Sequence, residues 1–347
     1  MSRWILYVGE PRGTSRQRAE ALRQLGHRVR HVPAGPPVGS WRFLPWRVGD
    51  RLGRPPDLLG ANREIRRAVA REPLDVLWID KGRSVFPATL RRVRELSPAT
   101  KILYYSPDDQ MNPSNQSAAW RASVALYDLH VTTKSYNVAE LRALGARDVL
   151  FVDNAFDPEM HRPVDLTPED ERRYRADVGF VGHFERERAD TMDRLTREGI
   201  DVSVWGPGWR RFRDHGAKLI VRDEMLRGLD YARAINATRI NLGFLRRVNR
   251  DLQTTRSIEI PACGGFMLAE RTDEHRRLFE EGNEAEFFAS FEELRDKCRY
   301  YLAHEDQRAR IAAAGRMRCI AGGYSNRDRL ARVLDHLQSA AGPASGF

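Results

Sequence analysis

Hydrophobic positions in the first half of the chain fall in short runs separated by amphipathic stretches. WILYVG (4–9), RVRHVP (28–33), LDVLWID (74–80), KILYYS (101–106), LHVTT (129–133) and DVLFVDN (148–154) have the β-branched and aromatic density of buried strands. Between them, SRQRAEALRQLGH, NREIRRAVAREP, FPATLRRVRELSP, WRASVALYD and YNVAELRALGA space apolar residues as a helix with one buried face does. Strands alternating with helices of about 10–13 residues predict βαβ units on a parallel sheet, and right-handed crossovers make that an open, doubly wound domain.

The alternation breaks at NAFDPEMHRPVDLTPEDERRYRA (154–176), whose three prolines and dense charge predict an interdomain linker. It then restarts with DVGFVGHF (177–184), the helix ADTMDRLTREG, IDVSVWGPGW (200–209), AKLIVRDEM, the helix LDYARAINAT, RINLGFL (239–245), a helix around Glu259, and GFMLAE. Helices follow at 273–281, 291–303 and 305–319; a last one at 326–339 has Ser325 or Asn326 as its N-cap. The predicted fold class is α/β, with two Rossmann-like doubly wound domains. The first covers 1–157, the second 158–323, and a C-terminal helix at about 324–339 packs back onto the first. Beyond the short tail AAGPASGF no low-complexity tract occurs. Ligands of such sheets bind outside the carboxyl ends of the strands, here expected to face a cleft between the domains.

Length and composition agree with two soluble domains: 347 residues, 41% hydrophobic and 31% charged. No run approaches the roughly 18 apolar residues of a membrane span. The apolar run in MSRWILYVGEPRG is too short for a signal-peptide core and reads as the first strand. Cys263, Cys298 and Cys319 are widely spaced and form no CxxC, which fits neither a disulfide framework nor a zinc site and predicts a reducing, cytoplasmic setting. The net charge of +10 favours anionic partners: nucleotides, or peripheral contact with an anionic membrane on its inner face. The arginines are interleaved with Glu and Asp as on solvated helix faces, which disfavours nucleic acid.

Five stretches carry candidate chemistry. VGEPRGTSRQR (8–18) opens a helix with Gly-x-x-x-Gly, either an anion seat or a tight turn. YYSPDDQMNPSN (104–115) sets Asp108 and Asp109 just after a strand, where they can orient acceptor hydroxyls, act as acid/base groups or cap a turn. In DVGFVGHFERER, Gly182 and His183 precede a basic helix start with Arg186 and Arg188, a candidate diphosphate seat. The tryptophans of WGPGW (205–209) either wall a base or sugar pocket or pack in the core. In DLQTTRSIE (251–259), a helix starting near Thr254 or Thr255 would aim its first amides, with Arg256, at a diphosphate. Glu259, in an apolar run one turn on, can then accept hydrogen bonds from a ribose diol; the bland alternative is a salt bridge to Arg256 or another arginine. Asp251 lies in the preceding loop. No Asp-x-Asp occurs, so the usual carboxylate signature for a metal-bound nucleotide-sugar is missing.

TTRSIEIPACGGFMLAERTDEHRRLFEEGNEAEFF, continuing through RMRC and YSNRDRL, resembles the C-terminal domain of CgeB-like (spore maturation protein) glycosyltransferases. SPDDQMNP, TTKSYNVAELRALGA and NAFDPEMHRP resemble the same group. These are retaining GT-B enzymes marked by Glu-x7-Glu. The resemblance implies sugar transfer from a nucleotide-diphosphate sugar to a glycan, lipid-linked or small-molecule acceptor, with retention and with no metal or other cofactor. It implies that Glu259 holds the donor ribose, that Asp251 stands where the first glutamate would, and that the diphosphate contacts fall on Arg256 and on Arg186 or Arg188. Two other classes are a GT-B-like binding protein without activity and a dinucleotide-dependent oxidoreductase; the latter needs a GxGxxG loop that neither glycine stretch supplies.

Overall fold

The computed structural model describes residues 2–36, 40–212, 216 and 218–339 and divides the chain into two units. One runs to Asp153 and resumes at Asn326; the other spans Asn154–Ser325. The tail AAGPASGF lies outside the described residues.

The first unit carries β1 (Trp4–Gly9), β2 (Arg28–Pro33), β3 (Val76–Asp80), β4 (Lys101–Ser106), β5 (Leu129–Thr132) and β6 (Val149–Phe151). They form one parallel sheet in the order β2-β1-β3-β4-β5-β6. Both faces of the central strands are covered, so β1, β3 and β4 are buried along nearly their whole length, while the edge strand β2 is largely exposed. Leu6 and Val8 of β1 join a core with Ile65, Val69, Leu90 and Val93, while Ile5 and Tyr7 pack on the other side with Leu22, Leu330, Val333 and Leu337. Leu330, Val333, Leu334 and Leu337 of that second cluster lie on the C-terminal helix Asn326–Ser339, which therefore belongs to this unit.

The second unit carries β7 (Ala176–Val181), β8 (Val202–Trp205), β9 (Leu219–Arg222), β10 (Thr238–Gly243), β11 (Met267–Glu270) and β12 (Glu286–Phe288). Its parallel sheet runs β12-β11-β10-β7-β8-β9. The chain order reverses between β7 and β10, so the loops after these two strands flank the switch point where open α/β sheets bind ligands.

One predicted helix is corrected. WRASVALYD is not one helix but a short turn of helix, Ala118–Arg121, followed by a 3₁₀ turn, Val124–Leu126. Ser117 caps the first by accepting from the Trp120 amide, and Ser123 ends it by donating back to the Ala119 carbonyl. Within the stretch 154–176, Thr167 and Asp170 form a reciprocal capping box that starts the helix Pro168–Tyr174. Trp205 and Trp209 are fully buried, as the core-packing alternative had it. The short strand β12 and the helix Phe43–Arg51 were not read from the sequence.

Candidate functional site

The site is built at the carboxyl ends of β7 and β10. Gly182 follows β7, and its backbone is clamped from the β8 side. Its amide donates to the Trp205 carbonyl at 2.8 Å, and its carbonyl accepts from Trp209 Nε1 at 2.8 Å. The chain at Gly206 passes so close that a Cβ there would lie 2.1 Å from the Gly182 oxygen, at φ 138°, so only glycine fits. His183 comes next and is exposed; partial desolvation, then the charges of Arg256 and Arg246, hold its imidazole below the usual value.

The helix Arg186–Arg197 begins there, and its two candidate arginines part company. Arg186 is exposed, pairs with Asp190 at 3.0 Å and leans on Phe212. Arg188 is 4% exposed, and its Nε and Nη2 have no hydrogen-bond acceptor. Nη2 reaches Glu185 at 3.3 Å as an ion pair, off the line of a hydrogen bond. The same Glu185 carboxylate also takes Arg246 Nε at 2.8 Å. Arg256, on the loop-to-helix segment after β10, has a buried Nε without an acceptor and no ion pair among the described residues. The guanidinium carbons of Arg188 and Arg256 lie 5.6 and 5.4 Å from the Phe180 ring centroid. Burial, then the neighbouring charge of Arg256, pushes the Arg188 pKa down to about 10. Two cations thus share an apolar floor with donors to spare, an arrangement that an anion would relieve.

The turn carrying Arg256 is positioned from below. The Thr254 amide donates to Ser257 Oγ at 3.0 Å, Ser257 Oγ meets His275 Nε2 at 2.7 Å, and His275 Nδ1 meets the Glu270 carbonyl at 2.6 Å. The carbonyl can only accept, so Nδ1 carries the proton and Nε2 takes the serine hydroxyl. The amides of Ser257, Ile258 and Glu259 close back on the carbonyls of Thr254 and Thr255. The expected row of free first-turn amides is therefore narrowed to the start of the turn, at Thr255, whose side chain makes no cap bond.

Glu259, on the helix Arg256–Ala262, is 8% exposed. Among the described residues no arginine holds it; the group facing it is the His161 ring, whose Nε2 stands 3.7 Å from Oε1. His161 Nδ1 accepts from the Asp157 amide at 3.0 Å, which leaves Nε2 as the protonated nitrogen facing the carboxylate. Tyr231 packs edge-on against His161, its ring centroid 5.6 Å away; burial and the Glu259 charge raise its phenol well above the usual value. The Tyr231 hydroxyl lies near the carboxylate but makes no hydrogen bond of normal geometry. Glu259 is thus nearly enclosed, with donors close by but none bonded at normal length. His161, Tyr231, Ser257 and His275 were not read as site residues; the sequence signal was that His161 lies in NAFDPEMHRP and that Ser257 and His275 lie in TTRSIEIPACGGFMLAERTDEHRR.

Asp251 is differently engaged. Its Oδ1 accepts from Asn249 Nδ2 at 2.8 Å and its Oδ2 faces the Arg246 amide at 3.4 Å, closing the loop over a left-handed Arg250 at φ 45°.

In the first unit, Asp108 and Asp109 follow β4. Asp109 is 2% exposed; its Oδ1 accepts from the Met111 amide and from Asn137 Nδ2, both at 2.9 Å, which anchors the loop. Asp108 is half-buried and ion-paired with Lys81, itself in the left-handed region at φ 54°. The Gly-x-x-x-Gly loop leads into a helix whose Arg18 holds buried Asp80 at 2.9 Å, with the Tyr7 hydroxyl on the same carboxylate oxygen. That triad ties helix to sheet. Asp109→Ala is expected to cost about 1–3 kcal/mol of unfolding free energy by stranding two buried donors, and Asp108→Asn under about 1 kcal/mol. Urea denaturation of both variants checks this; equal effects would contradict it.

Two buried histidines set a pH dependence. Burial, partly offset by a backbone carbonyl, pushes His275 down to about 4 and His130 likewise to about 4. Both stay neutral in the fold and gain a proton more readily when unfolded, near pH 6.5. Stability is therefore lost as pH falls from about 6.5 to 4, by roughly 2 kcal/mol for each histidine at pH 5. A urea midpoint that does not move between pH 7 and pH 5 would contradict the assignment.

Residues 186–335 match the family described as glycosyl transferase-like. No curated protein sequence matches the chain. Among solved structures, sucrose-phosphate synthase from Thermosynechococcus elongatus is similar with a TM-score of 0.66 at 12% identity, covering 97% of this chain and 100% of its own. Anabaena HepE in complex with UDP and glucose gives 0.64 at 12% identity over 97% and 100% of the two chains. The α,α-trehalose 6-phosphate synthase of Burkholderia multivorans gives 0.61 at 11% identity over 99% and 100%. The fold is that of GT-B glycosyltransferases: two Rossmann-like α/β units, each with a six-stranded parallel sheet.

Proposed function

We propose that the protein transfers a glycosyl group from a nucleoside-diphosphate sugar to an acceptor hydroxyl, with retention and without a metal. The observation that carries this is Arg188: a buried guanidinium, short of acceptors, beside a second cation at the switch point of the sheet. Arg188 and Arg256 would hold the diphosphate, with the Gly182 backbone close behind. Glu259 would accept the two hydroxyls of the ribose, assisted by His161. As the glycosidic bond to the diphosphate breaks, charge grows on the departing phosphate oxygen, and preorganised guanidinium donors stabilise it more than they stabilise the ground state. The sugar carbon passes through an oxocarbenium-like state, and the acceptor hydroxyl attacks from the same face, giving its proton to the departing phosphate oxygen. Asp108, with Lys81, is the candidate for an acceptor-side role in the first unit. The glycosyl transferase-like match over 186–335, the CgeB-like motifs and the UDP bound to the similar Anabaena protein support this reading.

A second reading, nucleotide binding without transfer, draws on Asp251, whose carboxylate serves its own loop where the family's first glutamate would meet the sugar. Turnover separates the two. The protein incubated with UDP-, GDP-, ADP- or dTDP-sugars in excess EDTA is expected to release nucleoside diphosphate, and proton NMR to show a product anomer matching the donor's. Activity that EDTA abolishes and Mg²⁺ restores would overturn the metal-free reading. Diphosphate binding without release in any condition would favour the second.

A further inference from the structure

The helix Phe43–Arg51 in the first unit has no buried residue. Trp41, Leu44, Val48 and Leu52 are 79%, 68%, 53% and 74% exposed. At 3.6 residues per turn these four positions fall within about 80° of one another, a single apolar stripe running through the helix and its flanking turns. Scattered exposed apolar residues need no explanation, but a contiguous stripe marks an interaction surface. The opposite side of the segment is what the protein holds: Trp46, stacked on Phe43, packs against Gly35, where a Cβ would lie 3.5 Å from its ring, and Asp50 is fixed by Arg83 at 2.9 Å.

The flanks of the stripe are cationic. Arg42, Arg47, Arg51 and Arg54 are exposed, and none of them forms an ion pair among the described residues. The segment's one acidic residue, Asp50, is turned inward and neutralised by Arg83. Tryptophan and leucine on one face with arginine along the edges is the composition of a helix that lies in the headgroup region of a bilayer. No helix among the described residues is long and apolar enough to cross a membrane, so the segment would lie on the surface rather than span it.

We propose that Trp41–Leu52 docks the protein on an anionic phospholipid bilayer, with Trp41, Leu44, Val48 and Leu52 entering the acyl boundary and the four arginines meeting lipid phosphates. Charge decides between occupants. A two-fold pairing with a second copy would set the same arginines of both chains against one another. Nucleic acid would use the arginines and leave the apolar stripe in water. An anionic bilayer satisfies both, and the net charge of +10 adds long-range attraction. This inference stands apart from the sugar-transfer reading.

The test is co-sedimentation of the full-length protein with vesicles of phosphatidylcholine alone and of phosphatidylcholine mixed equally with phosphatidylglycerol. Binding is expected to the mixed vesicles at low salt, and loss of it in about 1 M NaCl, where screening acts within roughly 3 Å. Leu44→Ser/Val48→Ser/Leu52→Ser is expected to weaken partitioning at least tenfold, and each of Arg42→Ser, Arg47→Ser and Arg51→Ser by roughly fivefold. These positions are exposed, and circular dichroism and urea midpoints check that the variants stay folded. The proposal is overturned if the wild type does not sediment with anionic vesicles, or if the apolar triple variant binds as well as the wild type. A wild-type dimer that the same triple variant converts to monomer would overturn it in favour of a second copy.

Discussion

Arg188→Met is expected to remove nucleoside-diphosphate binding while leaving the free protein at least as stable as the wild type. Arg188 is a buried cation beside Arg256, with a pKa pushed down to about 10. A base whose folded pKa lies below its unfolded value carries its full penalty wherever both states are charged, so the penalty is present at neutral pH and is relieved only above about 10. That net penalty, with the attraction of Glu185 already included, is on the order of 3 kcal/mol. Methionine fills much of the same volume over Phe180 without the charge. Binding responds in the opposite direction, because losing one partner of a buried charged contact costs about 2–5 kcal/mol. Calorimetry is expected to show at least a 30-fold weaker diphosphate complex, and a thermal melt an unchanged or higher midpoint. A large loss of stability would make Arg188 structural; unchanged affinity would remove it from the site.

Glu259→Gln carries the second large effect. The carboxylate is nearly buried and has no hydrogen bond of normal length in the free protein; its contact is His161 at 3.7 Å. Glutamine keeps the shape, removes the charge and replaces one acceptor by a donor. A charged hydrogen bond contributes about 1.5–3 kcal/mol, so diphosphate affinity is expected to fall by that amount, with Glu259→Ala at least as weak. The free variant loses no bonded partner, and removing an under-solvated charge favours folding. Unchanged affinity in the folded variant would contradict the ribose role.

Much of the architecture was legible in period and composition. KILYYS is β4 over 101–106, and the C-terminal helix spans 326–339, because each is a strong, uninterrupted pattern whose ends coincide with a cap or turn. β12 was hidden because three residues, Glu286–Phe288, are too few to show a period. The helix Phe43–Arg51 was hidden because its apolar stripe faces out, and Pro45 and Gly49 blur it further. The helix at 168–174 was hidden because prolines and charge read as a break, although Thr-Pro-Glu-Asp is itself a helix-start signal. The site divides in the same way. Glycines and arginines after strands are visible as local motifs. Arg186 and Arg188 are indistinguishable in one dimension, yet two residues along a helix turn one into solvent and the other onto Phe180. His161 and Tyr231 reach Glu259 from elements distant in sequence, which no local pattern encodes.

The most direct test is a calorimetric titration of the full-length protein, in excess EDTA, with UDP, GDP, ADP and dTDP and with the corresponding monophosphates. If Arg188 and Arg256 form a diphosphate seat and Glu259 a ribose contact, at least one diphosphate binds, and its monophosphate binds at least tenfold more weakly, because only the diphosphate spans both guanidinium groups. Equal affinity for diphosphate and monophosphate, or no binding of any diphosphate until Mg²⁺ is added, would contradict the site described here.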